Sequence, residues 1–271
     1  MLLLIHEDKN KQCLYFHKLA LNWHSNSFTL KYLFYILISI VLFSNTLFAQ
    51  DKNVLEDLDY NKEYTFGFNW NTNGDILGGV SFKYSKFRKG TRLSTYCLEI
   101  VSVKHPNEIR PSHDSTINQF VYGKQNYLFV IRPQYGREIV LFRKENEGVQ
   151  MNFIFAGGPS FGIEKPYYIF YGNSASTYQS VPFDPNKTTA FTKTYGSGSY
   201  FDGFTESKIV MGINAKASFL FEFGTFRNNL TGLELGFLGE AFSRKIVIMP
   251  SESNRSVYFS AFMNIYFGAR E

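Results

Sequence analysis

The chain has 271 residues, of which 44% are hydrophobic and 18% aromatic, and its formal net charge is +5. This composition excludes a disordered chain, and its 29 Phe and 18 Tyr residues favour one large β-domain or two smaller ones. A mean hydropathy of -0.18 excludes a protein dominated by transmembrane helices. The basic residues form no dense patch in the sequence, which argues against a nucleic-acid partner.

The N-terminal part of the chain has the pattern of a secretory leader. Lys31 precedes an apolar run over residues 32–43, and a small-residue end up to Ala49 follows, so cleavage is expected after Ala49. The alternative is an uncleaved anchor helix, which the short run and its polar Asn45 and Thr46 disfavour. We expect an upstream extension or an artefact of start choice over residues 1–30, a signal peptide over 31–49, a periplasmic lead-in over 50–61 and a β-barrel over 62–268.

Removal of the leader would change the charge and the cysteine content. It would take four of the 28 basic and two of the 23 acidic residues, leaving 24 and 21 and a net charge of +3. It would also remove Cys13 and leave Cys97 alone, so no intramolecular disulfide could form. An exported protein without disulfides needs another source of stability, and a closed barrel is one.

Eight segments alternate apolar and polar residues with the period of two that strands require. The first is the clearest, because Tyr64, Phe66, Phe68 and Trp70 share one face. Pro133 lacks a backbone N–H and predicts a bulge or local break in the fourth segment. The predicted strands cover residues 62–71, 76–86, 91–103, 126–138, a fifth from 149, 207–224, 230–243 and 256–267.

The connections between these strands alternate in length. A soluble β-sandwich would bury the apolar face of each strand against a second sheet, whereas a membrane barrel would turn it to lipid. The connections after strands two, four and six are short, and those after strands three and five, residues 104–125 and 171–206, are long. Outer-membrane barrels have short turns at the periplasmic end and longer loops at the external end, which gives the same alternation. The sequence therefore predicts an all-β fold, an eight-stranded antiparallel up-and-down transmembrane β-barrel in the outer membrane.

Charged residues in the predicted strands collect on the face opposite the apolar one. Arg or Lys on a lipid-facing surface costs roughly 2 to 4 kcal/mol at the bilayer midplane, so this charged face should point into the lumen. Side chains fill the lumen of an eight-stranded barrel, so we expect a structural salt-bridge network; a narrow solute channel is the alternative. The predicted network consists of Lys83, Glu99, Arg132, Lys216, Glu222, Glu234 and Glu240.

Signals for chemistry are weak, and the sequence predicts no catalytic residue, cofactor or metal site. His113, Asp114 and Ser115 are residue types that some lipid-modifying barrels use, but they lie in a polar loop with no strand to hold them. His105 and Glu108 are two candidate metal ligands without further partners. The Gly-rich segments at 157–158 and 196–203 precede no helix, so they do not match a phosphate-binding loop.

The long connection over residues 171–206 is rich in aromatic side chains. Compact domains rarely keep so long a connection without a use for it, so we expect it, together with residues 104–125, to contact a protein or ligand. The alternative is that the aromatic residues fold the loop onto the barrel rim. The candidate contact residues are Tyr178, Phe183, Tyr195, Tyr200 and Phe204.

Five short segments, at residues 47–50, 104–108, 122–126, 165–168 and 266–268, carry a family resemblance. With them the chain after the leader resembles an uncharacterised group of small outer-membrane β-barrel proteins from Bacteroidota. The resemblance implies the fold and the outer-membrane location and assigns no functional residue. The expected function is a structural or interaction role, with outer-membrane lipid as one partner and a protein or ligand at the external loops as another. The alternatives are an outer-membrane lipid-modifying enzyme and a narrow solute channel.

Overall fold

The computed structural model describes residues 61–74, 78–108, 120–143, 148–173, 177–184, 193–223, 229–250 and 254–271. Residues 1–60, which comprise the predicted leader and all of the predicted lead-in except Asn61, lie outside these residues, as do His113, Asp114 and Ser115. Within the described part of the chain, no helix has the length and apolar character needed to cross a membrane.

The described residues form eleven strands in two sheets. The strands are β1 (Lys62–Asn71), β2 (Gly79–Lys89), β3 (Arg92–Val103), β4 (Asn126–Phe142), β5 (Gln150–Pro166), β6 (Tyr168–Gly172), β7 (Tyr178–Pro182), β8 (Thr194–Ser197), β9 (Lys208–Glu222), β10 (Asn229–Phe242) and β11 (Val257–Arg270). Strands β1 to β5 and β9 to β11 form a closed antiparallel barrel in chain order, so the predicted eight-stranded up-and-down barrel is confirmed.

The first and last strands close the barrel. Pairing runs from Glu63 opposite Arg270 to Asn71 opposite Phe262, and the N–H groups of Asn61 and Lys62 donate to the carbonyl of Glu271 at 2.7 and 2.9 Å. Because β1 also pairs with β2, each barrel strand is hydrogen-bonded on both sides. Closure removes the exposed edges through which open sheets aggregate.

The two ends of the barrel carry different connections. The end that we call the turn end carries Asn61, Glu271 and the short connections 90–91, 143–149 and 223–228. Gly90, with φ at 64°, occupies a left-handed position in the first of these turns. The opposite end, the loop end, carries the connections 72–78, 104–125, 167–207 and 243–256. The long connections predicted from the sequence therefore share one end.

Strand β4 differs from its prediction in two ways. Its ladder to β3 continues through Pro133, but its pairing with β5 stops at Ile131 and resumes at Tyr135 in the same register. The predicted break therefore lies on the β5 side alone, and the bulge lies elsewhere, between Val140 and Phe142. The strand also extends beyond its predicted end at residue 138, through the apolar residues 139–142, of which Val140 is buried and continues the inward row.

The long connection between β5 and β9, which the sequence predicts to be a loop, contains regular structure. Strands β6, β7 and β8 form a separate antiparallel sheet with β6 in the middle, and a 3-10 turn, Phe204–Glu206, follows. The register runs from Tyr168 opposite Pro182 to Gly172 opposite Tyr178. Strands this short show little alternation of their own, so their pairing partners decide whether they form.

Candidate functional site

Buried charged side chains from four strands meet in the middle of the lumen. Lys216 on β9 places its Nζ 2.8 Å from Oε1 of Glu99 on β3 and 3.3 Å from Oε1 of Glu234 on β10. Arg132 on β4 forms a bidentate pair with Glu240, both N–O distances being 2.8 Å, and its Nη1 lies 3.7 Å from Glu99. Five of the seven predicted network residues are therefore joined in one chain of contacts.

The other two predicted residues lie in the lumen but pair with residues outside the predicted set. Lys83 donates to Glu138 at 3.1 Å, and Glu222 pairs with Arg270. Arg270 also donates from its Nε to Glu63 at 2.7 Å. Arg270 is absent from the predicted network because the predicted last strand ends at residue 267. Glu63 and Glu138 are also absent from it, although both continue the inward row of their strands.

Neutral side chains complete the hydrogen bonding of the lumen. Glu234 accepts from Ser218 at 2.5 Å and from Asn264 at 2.9 Å. Glu138 accepts from Asn152 at 2.6 Å, and Glu240 accepts from Ser160 at 2.6 Å. Carboxylates outnumber cations among the described lumen side chains, so these neutral donors stabilise the excess of negative charge. Packed polar side chains therefore fill the lumen.

Residues 243–250, in the connection between β10 and β11, fold into the loop end of the barrel. Ile246 and Ile248 are fully buried there, and the carbonyl of Ile248 accepts from the N–H groups of Gln125 and Asn126 at 2.8 and 3.3 Å. The Asn126 side chain donates to the carbonyl of Val247 at 2.7 Å. The two isoleucines and Met249 pack with Val101, Val103, Leu128, Val130, Val210 and Phe242. This apolar layer seals the lumen at the loop end.

Lys165, near the end of β5, attaches the long connection to the barrel. Its buried Nζ donates to the carbonyls of Tyr200 and Asp202, both at 2.7 Å. The same atom lies 5.0 to 5.4 Å from the ring centroids of Tyr127, Tyr200 and Phe204. Cation–π contacts of this kind contribute about 0.5 to 2 kcal/mol each. Lys165 therefore holds the segment that follows β8 against the rim.

The five candidate contact residues have different environments. Phe183 is only 7% exposed and packs with Phe120, Tyr167 and Ile169 in the core of the loop, and its role as a contact residue stays a prediction. Tyr178, Tyr200 and Phe204 are exposed, and Tyr195 is half-buried against Tyr178. The sequence could not separate these cases, because burial in the loop depends on the pairing of β6 with β7.

A cleft of about 850 Å³ lies at the loop end, lined by residues that include Phe183, Asp184, Glu206, Lys208 and Arg244. Arg244 forms a bidentate pair with Glu164, and the hydrogen bonds to that carboxylate raise the pKa of Arg244. The hydrogen bond that Tyr168 donates to Glu206, at 2.8 Å, raises the pKa of Tyr168. The mixture of charges and apolar walls suits a small polar ligand.

The two candidate metal ligands are engaged in a turn. Glu108 accepts from Lys124 at 2.6 Å and from the backbone N–H of His105 at 3.0 Å, and Nδ1 of His105 accepts from Asn107 at 3.2 Å. No group of three or more potential metal-ligating side chains occurs in the part of the chain that the structure describes. The pair therefore serves to fix the start of the connection 104–125.

Comparison with known proteins adds a structural similarity. No family model matches the chain, and no curated protein matches it. It is similar to Ail, the attachment invasion locus protein of Yersinia pestis, in complex with the heparin analogue sucrose octasulfate (10% identity, 78% of this chain, 99% of that chain, TM-score 0.36). It is also similar to neisserial surface protein A (8% identity, 78% of this chain, 97% of that chain, TM-score 0.37). Membership of the Bacteroidota group stays a prediction.

Proposed function

We propose that the protein is a small outer-membrane β-barrel with a filled lumen, whose loop end contacts a partner or ligand outside the cell. The outer surface of the barrel carries this proposal, because it exposes large apolar side chains on all eight strands, with Phe237 75% and Phe259 78% exposed. Soluble monomers rarely expose apolar surface on this scale. A surrounding lipid bilayer makes such a surface favourable, while the charged side chains of Glu99, Arg132, Lys216, Glu234 and Glu240 stay inside the barrel.

The proposed orientation places the turn end in the periplasm and the loop end outside. Short turns at the periplasmic side and longer loops outside are typical of outer-membrane barrels. Residues 31–49 would supply the export signal. N-terminal sequencing of the exported protein tests this part, and a mature chain that starts at Gln50 is the expected result.

Membrane insertion is tested by expressing the full precursor in a Gram-negative host. The protein should fractionate with outer membranes, resist extraction by high salt and migrate faster in gels before heating than after. Recovery in the soluble periplasmic fraction would refute the proposal, because a water-soluble barrel does not need an apolar exterior.

The filled lumen supports a structural role over a solute channel. The ion pairs of Lys216 and Arg132 occupy its middle, and Ile246 and Ile248 cover them at the loop end. The purified barrel should therefore give no discrete conductance steps in planar bilayers, under conditions in which a porin does. Regular single-channel steps would favour the channel.

The loop end is the proposed contact surface for a partner or ligand. Its support is the cleft beside Arg244, together with the exposed rings of Tyr178 and Tyr200. Aromatic side chains provide large contact areas with little loss of conformational entropy, which suits recognition. Binding of host or envelope fractions to intact cells, compared with cells that express a barrel lacking residues 174–199, tests this role. Equal binding by both would refute it.

A further inference from the structure

A row of tyrosines crosses the outer surface of β1 to β4. Tyr64, Tyr84, Tyr96 and Tyr135 are register partners on successive strands. Their ring centroids are separated by 5.0, 6.1 and 5.2 Å in that order. Tyrosine is enriched at membrane interfaces because its ring is apolar and its hydroxyl is polar.

Basic side chains lie directly beside this row, on the side toward the turn end. Lys86, Ser94 and Arg137 are register partners on β2, β3 and β4, each two residues from a tyrosine of the row and therefore on the same outer surface. Arg88 donates from its Nε to the Ser94 hydroxyl at 2.9 Å. The Tyr135 hydroxyl contacts Ser94 and Arg137, so the two rows form one surface.

The charge of this basic surface is not balanced by neighbouring acids on the same face. Arg92, two residues before Ser94 on β3, adds another exposed cation. Of the outward-facing side chains that the structure describes on β2, β3 and β4, none is acidic; Glu99 and Glu138 both point into the lumen. The surface is therefore electropositive and complementary to an anionic partner.

We infer that Lys86, Arg88, Arg92 and Arg137 bind the phosphate group of an anionic phospholipid in the periplasmic leaflet of the membrane. The inference rests on the proposed function, which places this end of the barrel at that leaflet. Guanidinium groups bind phosphate oxygens in a bidentate manner, and the Ser94 hydroxyl already orients Arg88 for this.

A lipid is the inferred partner because aromatic and apolar side chains lie next to the cations. The tyrosine row and, beyond it, apolar residues such as Phe66 and Phe82 continue the same surface toward the loop end. A ligand that follows the surface thus combines an anionic head with an apolar tail. A nucleic acid or an acidic protein would meet the cations but leave the rings exposed.

The test is native mass spectrometry of the folded full chain in a neutral detergent, titrated with phosphatidylglycerol or with phosphatidylcholine. The wild type should bind phosphatidylglycerol more tightly. A cation near an anionic lipid surface contributes roughly fivefold in affinity, so Arg88→Gln with Arg137→Gln should weaken phosphatidylglycerol binding about 30-fold. The matched control, Lys245→Gln with Arg255→Gln, removes the same charge from exposed positions at the loop end and should leave binding unchanged.

Equal binding of the two lipids by the wild type would overturn the inference without any variant. Equal weakening in the control would overturn it too, because net charge alone would then explain the binding. Heat-modifiable migration and outer-membrane fractionation of each protein report separately on the barrel. A barrel that inserts but does not distinguish the lipids refutes this inference alone, whereas a barrel that does not insert refutes the proposed function and this inference with it.

Discussion

Replacing Lys216 by Met should destabilise the barrel strongly. The Nζ of Lys216 is buried and lies 2.8 Å from Glu99 and 3.3 Å from Glu234, so its removal leaves two carboxylates in the lumen with less compensation. Removing one partner of a buried ion pair costs about 3 to 5 kcal/mol. Glu99 would keep only a 3.7 Å contact with Arg132, and Glu234 would keep its two neutral donors, so a value within this range is expected.

The assay is equilibrium unfolding in urea of the protein refolded in lipid vesicles, with folded protein measured by its heat-modifiable migration. Lys208→Met on the same strand is the matched control. Lys208 is exposed, and surface substitutions of this kind change stability by about 0.5 kcal/mol or less. A second change, Glu234→Gln, should restore part of the stability of Lys216→Met because it removes one of the uncompensated charges.

The comparison of the two lysine variants decides whether the lumen excludes water. If Lys216→Met and Lys208→Met lose the same small amount of stability, water must solvate the carboxylates that Lys216 leaves behind. The description of the lumen as filled and sealed would then be wrong.

Three further predictions concern the outer surface and the loop end. Phe237→Arg places a charge on the apolar surface and should cost about 2 to 4 kcal/mol, which is measured as lost outer-membrane assembly, whereas Phe201→Arg in the loop should assemble normally. Lys165→Met should increase cleavage of the segment around Phe201 by protease added to intact cells, while Lys245→Met should not; unchanged cleavage would mean that Lys165 does not hold the segment. Deletion of residues 174–199 should leave heat-modifiable migration intact, and a barrel that fails to assemble would make the loop structural.

Much of the barrel could be predicted because its determinants are local to each strand. A barrel strand turns alternate residues to two surfaces of opposite polarity. Each strand segment therefore shows the alternation of apolar and polar residues by itself. The first strand shows this: the predicted and observed limits, Lys62 and Asn71, agree. The order of short and long connections then gives the number of strands and the end at which each loop lies.

The pairing of the lumen charges was decided by the tertiary structure. Alternation places Lys83 inside the barrel, but its partner Glu138 lies two strands away, and the stagger between strands brings them together. The same holds for Arg132 on β4 and Glu240 on β10, which meet across the lumen. No local pattern contains this information, because the stagger is a property of the closed sheet.

The sequence by itself determined which surface of the barrel each strand residue occupies. Apolar residues suit the outer surface and polar residues suit the lumen, so the residue type at each position indicates the surface. Only the tertiary structure decided which residues meet. It buried Phe183 in the core of a small sheet, it folded Ile246 and Ile248 into the mouth of the barrel, and it aligned Lys86 with Arg137 across β3. These contacts join residues far apart in the chain, and their energies depend on a register that exists only when the barrel is closed.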